Sequence, residues 1–129
     1  MRKVLVVEDN PNNMELVTFI LKASGFEILE AERGIVGVEL FCSDDPDLVL
    51  LDIQLPDIDG IEVLRRMRQT EKGNSVPIIA VTSYAMTGDS GALVKAGCDG
   101  YIEKPIDPER FIEQVTTILE RKGRHAELS

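Results

Sequence analysis

The chain has 129 residues, 43% of them hydrophobic, which suits one domain with its own core and leaves no room for two of ordinary size. With 14 Lys and Arg against 23 Asp and Glu the net charge is −9, which excludes nucleic acid as the main partner, because such a surface repels a phosphate backbone. No apolar run approaches the roughly 20 residues of a membrane span, and the start Met1-Arg2-Lys3 leads into an apolar run too short for a signal peptide, so neither a membrane nor export is expected.

Val4 to Val7 is a continuous apolar run bounded by charge, the pattern of a strand buried on both faces of a parallel sheet. Asn10 then caps a helix with Pro11 at its first position; Met14, Val17 and Leu21 follow at helical spacing, and Gly25 stops it. Phe26 to Glu30 is a weaker strand. A helix from about Gly34 to Ser43 places Val36, Leu40 and Phe41 on one side, and its two glycines weaken it. Leu48 to Leu51 is a third strand, and Ile61, Leu64 and Met67 line a helix that starts after Gly60. Ile78 to Val81, after Pro77, is a fourth strand. From Thr87 to Ala96, Gly88 and Gly91 would each cost about 1 kcal/mol inside a helix, so a short fourth helix is placed with Asp89 as its N-cap. Tyr101-Ile102 is a very short fifth strand. Asp107 caps a last helix, with Pro108 at its first position and Phe111, Val115, Ile118 and Leu119 on its inner face. A domain over residues 1–121 therefore precedes a short polar tail, 122–129, which holds the lone histidine, His125. Cys42 and Cys98 match neither a disulfide framework nor a zinc spacing; both are expected to be small buried hydrophobes in a reducing cytosol.

Strand and helix alternate five times, which implies an α/β fold, doubly wound around a parallel sheet with right-handed crossovers. Ligands of such sheets bind beyond the carboxyl ends of the strands. There the first strand delivers Glu8 and Asp9, the third Asp52, the fourth Thr82 and Ser83, and the fifth Lys104 followed by Pro105. Carboxylates brought to ~5 Å at an effective dielectric of ~20 repel by on the order of 3 kcal/mol per pair. A hard divalent cation relieves this, and Mg²⁺ is bound by one or two carboxylates plus water and phosphate oxygens. Metal, lysine, hydroxyl and a spare carboxylate together suit phosphoryl transfer, in which a carboxylate can be the nucleophile and form an aspartyl-phosphate.

Glu8-Asp9 after the first strand, Asp52 in LLDIQLPDIDG, Thr82 ending IIAVT and Lys104-Pro105 occur in this order over residues 2 to about 121. In these motifs the sequence resembles the receiver domains of two-component response regulators, of the stand-alone, single-domain type. The resemblance implies a flavodoxin-like (βα)5 fold with a five-stranded parallel sheet in the order 2-1-3-4-5. It implies that Asp52 accepts the phosphoryl group, that Lys104 pairs with that group, and that the Lys104-Pro105 bond is cis. Asp9, Asp52 and the backbone carbonyl of Gln54 would bind Mg²⁺, with Mn²⁺ as a substitute, and Glu8 would hold a metal-bound water. Thr82 would turn its hydroxyl onto the phosphoryl oxygens, and Tyr101 would move inward with it. Gln54 and Tyr84, two positions after Asp52 and Thr82, would control water access and hence hydrolysis.

The same resemblance implies a cytoplasmic switch that catalyses only its own phosphorylation and dephosphorylation. With no histidine near the site, the donor is a histidine kinase or a histidine phosphotransfer protein. With no output domain in the chain, the output is contact with a downstream protein through the fourth helix, fifth strand and last helix, Met86, Val94 and Tyr101 among the contacts. Three rivals fare worse. A haloacid-dehalogenase-type enzyme needs a second Asp where Gln54 stands. A flavin binder needs a phosphate cradle that Glu8-Asp9-Asn10-Pro11 lacks. A degenerate receiver would not keep Asp9, Asp52, Thr82 and Lys104 together.

Overall fold

The structure, a computed structural model, describes residues 2–70, 75–83 and 95–128, with side chains to Lys122. Five parallel strands form one sheet: β1 (Lys3–Val7), β2 (Glu27–Ala31), β3 (Leu48–Asp52), β4 (Ile78–Thr82) and β5 (Gly100–Glu103), in the order β2-β1-β3-β4-β5. The described helices are α1 (Pro11–Ala23), α2 (Gly34–Asp44), α3 (Gly60–Arg68) and a C-terminal helix (Phe111–Leu128). The expected doubly wound, flavodoxin-like architecture and strand order are those observed.

Alternation along the buried strands divides the core into two layers. Leu5, Val7, Val49, Leu51, Ile78 and Ala80 pack with Phe41 of α2 and with Val63, Leu64 and Met67 of α3. Val4, Val6, Leu48, Leu50, Ile79 and Ile102 pack on the other face with Met14, Val17 and Leu21 of α1 and with Phe111, Val115 and Ile118 of the C-terminal helix. Both faces being covered is why these strands read as unbroken apolar runs.

The helix ends follow local chemistry. The Asn10 side chain accepts from the Asn12 and Asn13 N–H groups at 2.9 and 3.2 Å, ahead of Pro11. At the other end Gly25 takes a φ of 94°, and the Phe26 and Gly25 N–H groups close back on Leu21 and Lys22, a Schellman stop. The C-terminal helix follows an Asp107 turn in which the carboxylate accepts from Glu109 N–H at 3.0 Å.

Two expectations are corrected. The buried face of α2 is Gly34, Gly37 and Phe41, and Val36 is exposed. A Cβ at Gly37 would lie 2.8 Å from a Val7 methyl, so Gly37 is what lets α2 reach the sheet. Cys42 stands one position past Phe41, on the outer side, and is exposed, whereas Cys98 is buried as expected. The polar segment after 121 is helical to Leu128, and its first residue, Lys122, is tied to the domain body.

That tie belongs to a network at the amino edge of the sheet. The Arg68 guanidinium donates to Gly97 O (2.8 Å), Val76 O (2.7 Å) and Asp99 Oδ2 (2.8 Å), while Lys122 Nζ donates to Asp99 Oδ1 (2.9 Å) and Ile78 N–H to Oδ2 (2.8 Å). It joins α3, the start of β4, the approach to β5 and the C-terminal helix. Removing one member of a largely buried pair leaves the other charge uncompensated. Arg68→Ala is therefore expected to lower unfolding stability by about 3 kcal/mol, and Lys122→Ala, at the more exposed end, by about 1 kcal/mol. Urea denaturation of both variants checks this; equal losses would refute the ranking.

Candidate functional site

In this order the chain reverses direction across the sheet between β1 and β3, and their carboxyl ends open a crevice. Glu8 leaves β1 with its N–H bonded to Ala31 O at 2.9 Å, and its carboxylate accepts from Asn10 N–H at 3.2 Å. Asp9 stands exposed beside it. Asp52 ends β3, 2% exposed; its Oδ1 accepts from Gln54 N–H at 2.9 Å. Beyond β5 the Lys104 N–H bonds to Thr82 O at 2.9 Å, and the Lys104-Pro105 bond is cis. Lys104 Nζ reaches Asp52 Oδ2 at 3.0 Å and Glu8 Oε1 at 3.5 Å. One oxygen each from Glu8, Asp9 and Asp52 lies within 4.8 Å of the others, a donor set able to hold a metal ion.

The electrostatics show a shortage of positive charge. Glu8 is 4% exposed, and its pKa is raised to about 7. Burial is the main cause, followed by its hydrogen bond to Asp52, with bonding to Asn10 N–H and the Lys104 charge working against them. Burial beside a second carboxylate thus favours the protonated form of Glu8. All-oxygen ligation of this kind suits Mg²⁺ or Mn²⁺.

Thr82 ends β4, buried, and pairs in register with Glu103. Tyr101 lies two residues earlier on β5, paired with Ala80, and is 43% exposed, so its ring is on the outside. Gln54 is exposed at the crevice mouth. Tyr84, Met86, Val94 and nearly all of the expected fourth helix lie outside the described residues.

One residue was not singled out in the sequence. Asp57, in the loop after β3, accepts from Gly34 and Ile35 N–H at the start of α2, at 2.8 and 3.0 Å. The signal was indirect: Arg33 precedes this helix and offers no capping oxygen.

Residues 4–116 match the response regulator receiver domain family. The polar-differentiation response regulator DivK of Brucella ovis is 41% identical over 118 residues, 92% of this chain and 96% of that protein. Among solved structures, a CheY-like response regulator receiver domain protein of Methanospirillum hungatei superposes with a TM-score of 0.86 at 29% identity, covering 97% of this chain and 98% of that one. The receiver domain of a sensor histidine kinase of Pseudomonas aeruginosa, described with a magnesium ion coordinated in its active-site cleft, superposes with a TM-score of 0.82 at 33% identity, covering 93% and 95%. On a crevice of three carboxylates and a lysine, a 2-1-3-4-5 sheet and these matches, the chain belongs to the receiver domain family of response regulators.

Proposed function

We propose that this receiver is a single-domain phosphorylation switch of a two-component phosphorelay, in which Asp52 takes a phosphoryl group from a histidine of a partner protein. The carrying observation is the Lys104 ammonium held between Asp52 and Glu8 at the mouth of the crevice. An Asp52 oxygen attacks the phosphorus, the O–P bond forms as the donor's N–P bond breaks, and the donor imidazole keeps the electron pair. Lys104 then pairs with the phosphoryl oxygens, and the buried Thr82 hydroxyl turns toward them. Asp9, Asp52 and the Gln54 carbonyl would hold Mg²⁺, for which Mn²⁺ could substitute, and Glu8 would contribute through a water. When bound, the cation neutralises charge on the transferring group.

The donor is a histidine kinase or a histidine phosphotransfer protein. The added charge draws Thr82, and Tyr101 follows from its exposed position, changing the surface of the fourth helix, β5 and the C-terminal helix that a downstream protein reads. The chain works in the cytoplasm and turns over nothing but its own phosphoryl group. No described helix is long and apolar enough to cross a membrane.

A small acyl-phosphate donor with Mg²⁺ is expected to add one phosphoryl group by intact mass, an addition lost in Asp52→Asn and with chelator. Lys104→Ala should slow its accumulation at least about tenfold. Labelling that persists in Asp52→Asn would overturn the reading. After donor removal, the bulk of Tyr84 should preserve the phosphorylated form for minutes or longer, and Tyr84→Ala should shorten that time; unchanged decay would remove Tyr84 and Gln54 from hydrolysis control.

Glu8 sets a pH dependence. Its folded-state pKa of about 7 exceeds the ordinary 4.5, so between these values the folded chain binds more protons than the unfolded one. Metal-free stability should fall as pH rises through that window, and the stabilisation by Mg²⁺ should grow over the same range. Thermal unfolding in chelator and in Mg²⁺ reads both; a Mg²⁺ effect largest at the acid end would contradict the assignment.

A further inference from the structure

The start of α2 lacks its own cap. Arg33 is extended and makes no side-chain capping bond, and the first turn contains no acidic residue. The first N–H groups of a helix need acceptors. For Gly34 and Ile35 these are the two carboxylate oxygens of Asp57, at 2.8 and 3.0 Å. Both bonds favour the charged form, and the Asp57 pKa is lowered, with the Ile35 N–H as the largest cause.

The contact joins two parts of the molecule. Asp57 belongs to the loop 53–59, which is anchored at its start by Gln54 N–H on Asp52 Oδ1 and closed by Gly60 N–H on Ile53 O at 3.1 Å. The same loop packs side chains against the start of α2. A Cβ at Gly34 would come within 2.8 Å of Ile58 Cγ1 and 3.3 Å of Leu55 Cδ1. Only Leu55 and Pro56 separate Gln54 from Asp57, and proline fixes one of the few torsions between them. The segment is also held by Ile53 N–H on Val81 O at 3.2 Å and by Leu55 and Ile58 against the core, and the Asp57 carboxylate is what ties it to the start of α2.

We propose that Asp57 is a positioning residue for the divalent-cation site: strapped to the start of α2, it holds the loop after β3 so that the Gln54 carbonyl faces Asp9 and Asp52. This inference rests on the cation site assigned above. Asp57 touches neither the cation nor the phosphoryl group; it acts through the backbone.

The test is titration with Mg²⁺ alone at about 0.15 M salt, where exposed charges are screened beyond about 8 Å. It is read from the amide shifts of Asp9, Asp52 and Gln54, alongside the melting temperature of each variant. Loss of an outer support commonly weakens a metal site tenfold or more, so Asp57→Ala should raise the Mg²⁺ dissociation constant about tenfold and also lower the melting temperature. Asp57→Asn, which keeps one carbonyl acceptor, should be intermediate in both. Combining Asp57→Ala with Arg33→Ser gives α2 its own N-cap. That pair should recover the melting temperature while Mg²⁺ affinity stays weak. Affinity that recovers with the melting temperature would make Asp57 only a helix cap and overturn the proposal, as would unchanged affinity in Asp57→Ala. If the unsubstituted chain shows no Mg²⁺-dependent shifts, the cation site itself fails, a result separate from any effect of Asp57.

Discussion

The Lys104 ammonium is what allows Glu8, Asp9 and Asp52 to share one edge of the sheet. Its bonds of 3.0 Å to Asp52 and 3.5 Å to Glu8 offset repulsion that is strong because Asp52 and Glu8 are almost fully buried. The offset is incomplete: burial above all, and then the hydrogen bond to Asp52, raise the Glu8 pKa to about 7. On the function proposed, cation binding and phosphorylation would both act on this balance of charge.

The sheet makes this imbalance tolerable. Glu8 leaves β1, Asp52 ends β3 and Lys104 follows β5, so their spacing is set by parallel registers with both faces packed. At the opposite edge Arg68, Asp99 and Lys122 join helices on the two faces. The carboxyl edge and the amino edge are thus each tied across the sheet by side-chain bonds, and the loop after β3 is tied to α2 through Asp57.

Much of this was legible in the sequence because a doubly covered parallel sheet writes itself as short continuous apolar runs, and because the residues after each run must meet at one edge. Glu8, Asp9, Asp52 and Lys104 were found that way. What was misread involves size and distance. Val36 was assigned to the inner face of α2, but glycines form that face, and hydrophobicity cannot reveal contact made through a missing side chain. Cys42 was taken as buried on residue type alone, although it lies one step round the helix from Phe41. Asp57 escaped notice because its partners are 22 and 23 residues away.

The central claim is that Glu8, Asp9, Asp52 and Lys104 surround a single cation and phosphoryl centre. Paramagnetic broadening of amide resonances by substoichiometric Mn²⁺ tests it most directly. Broadening should be strongest at residues 8–10, 52–54 and 104 and should spare the amino edge around Lys3, Asp47 and Asp99. Broadening centred on that other edge, or spread evenly over the acidic surface, would contradict the account.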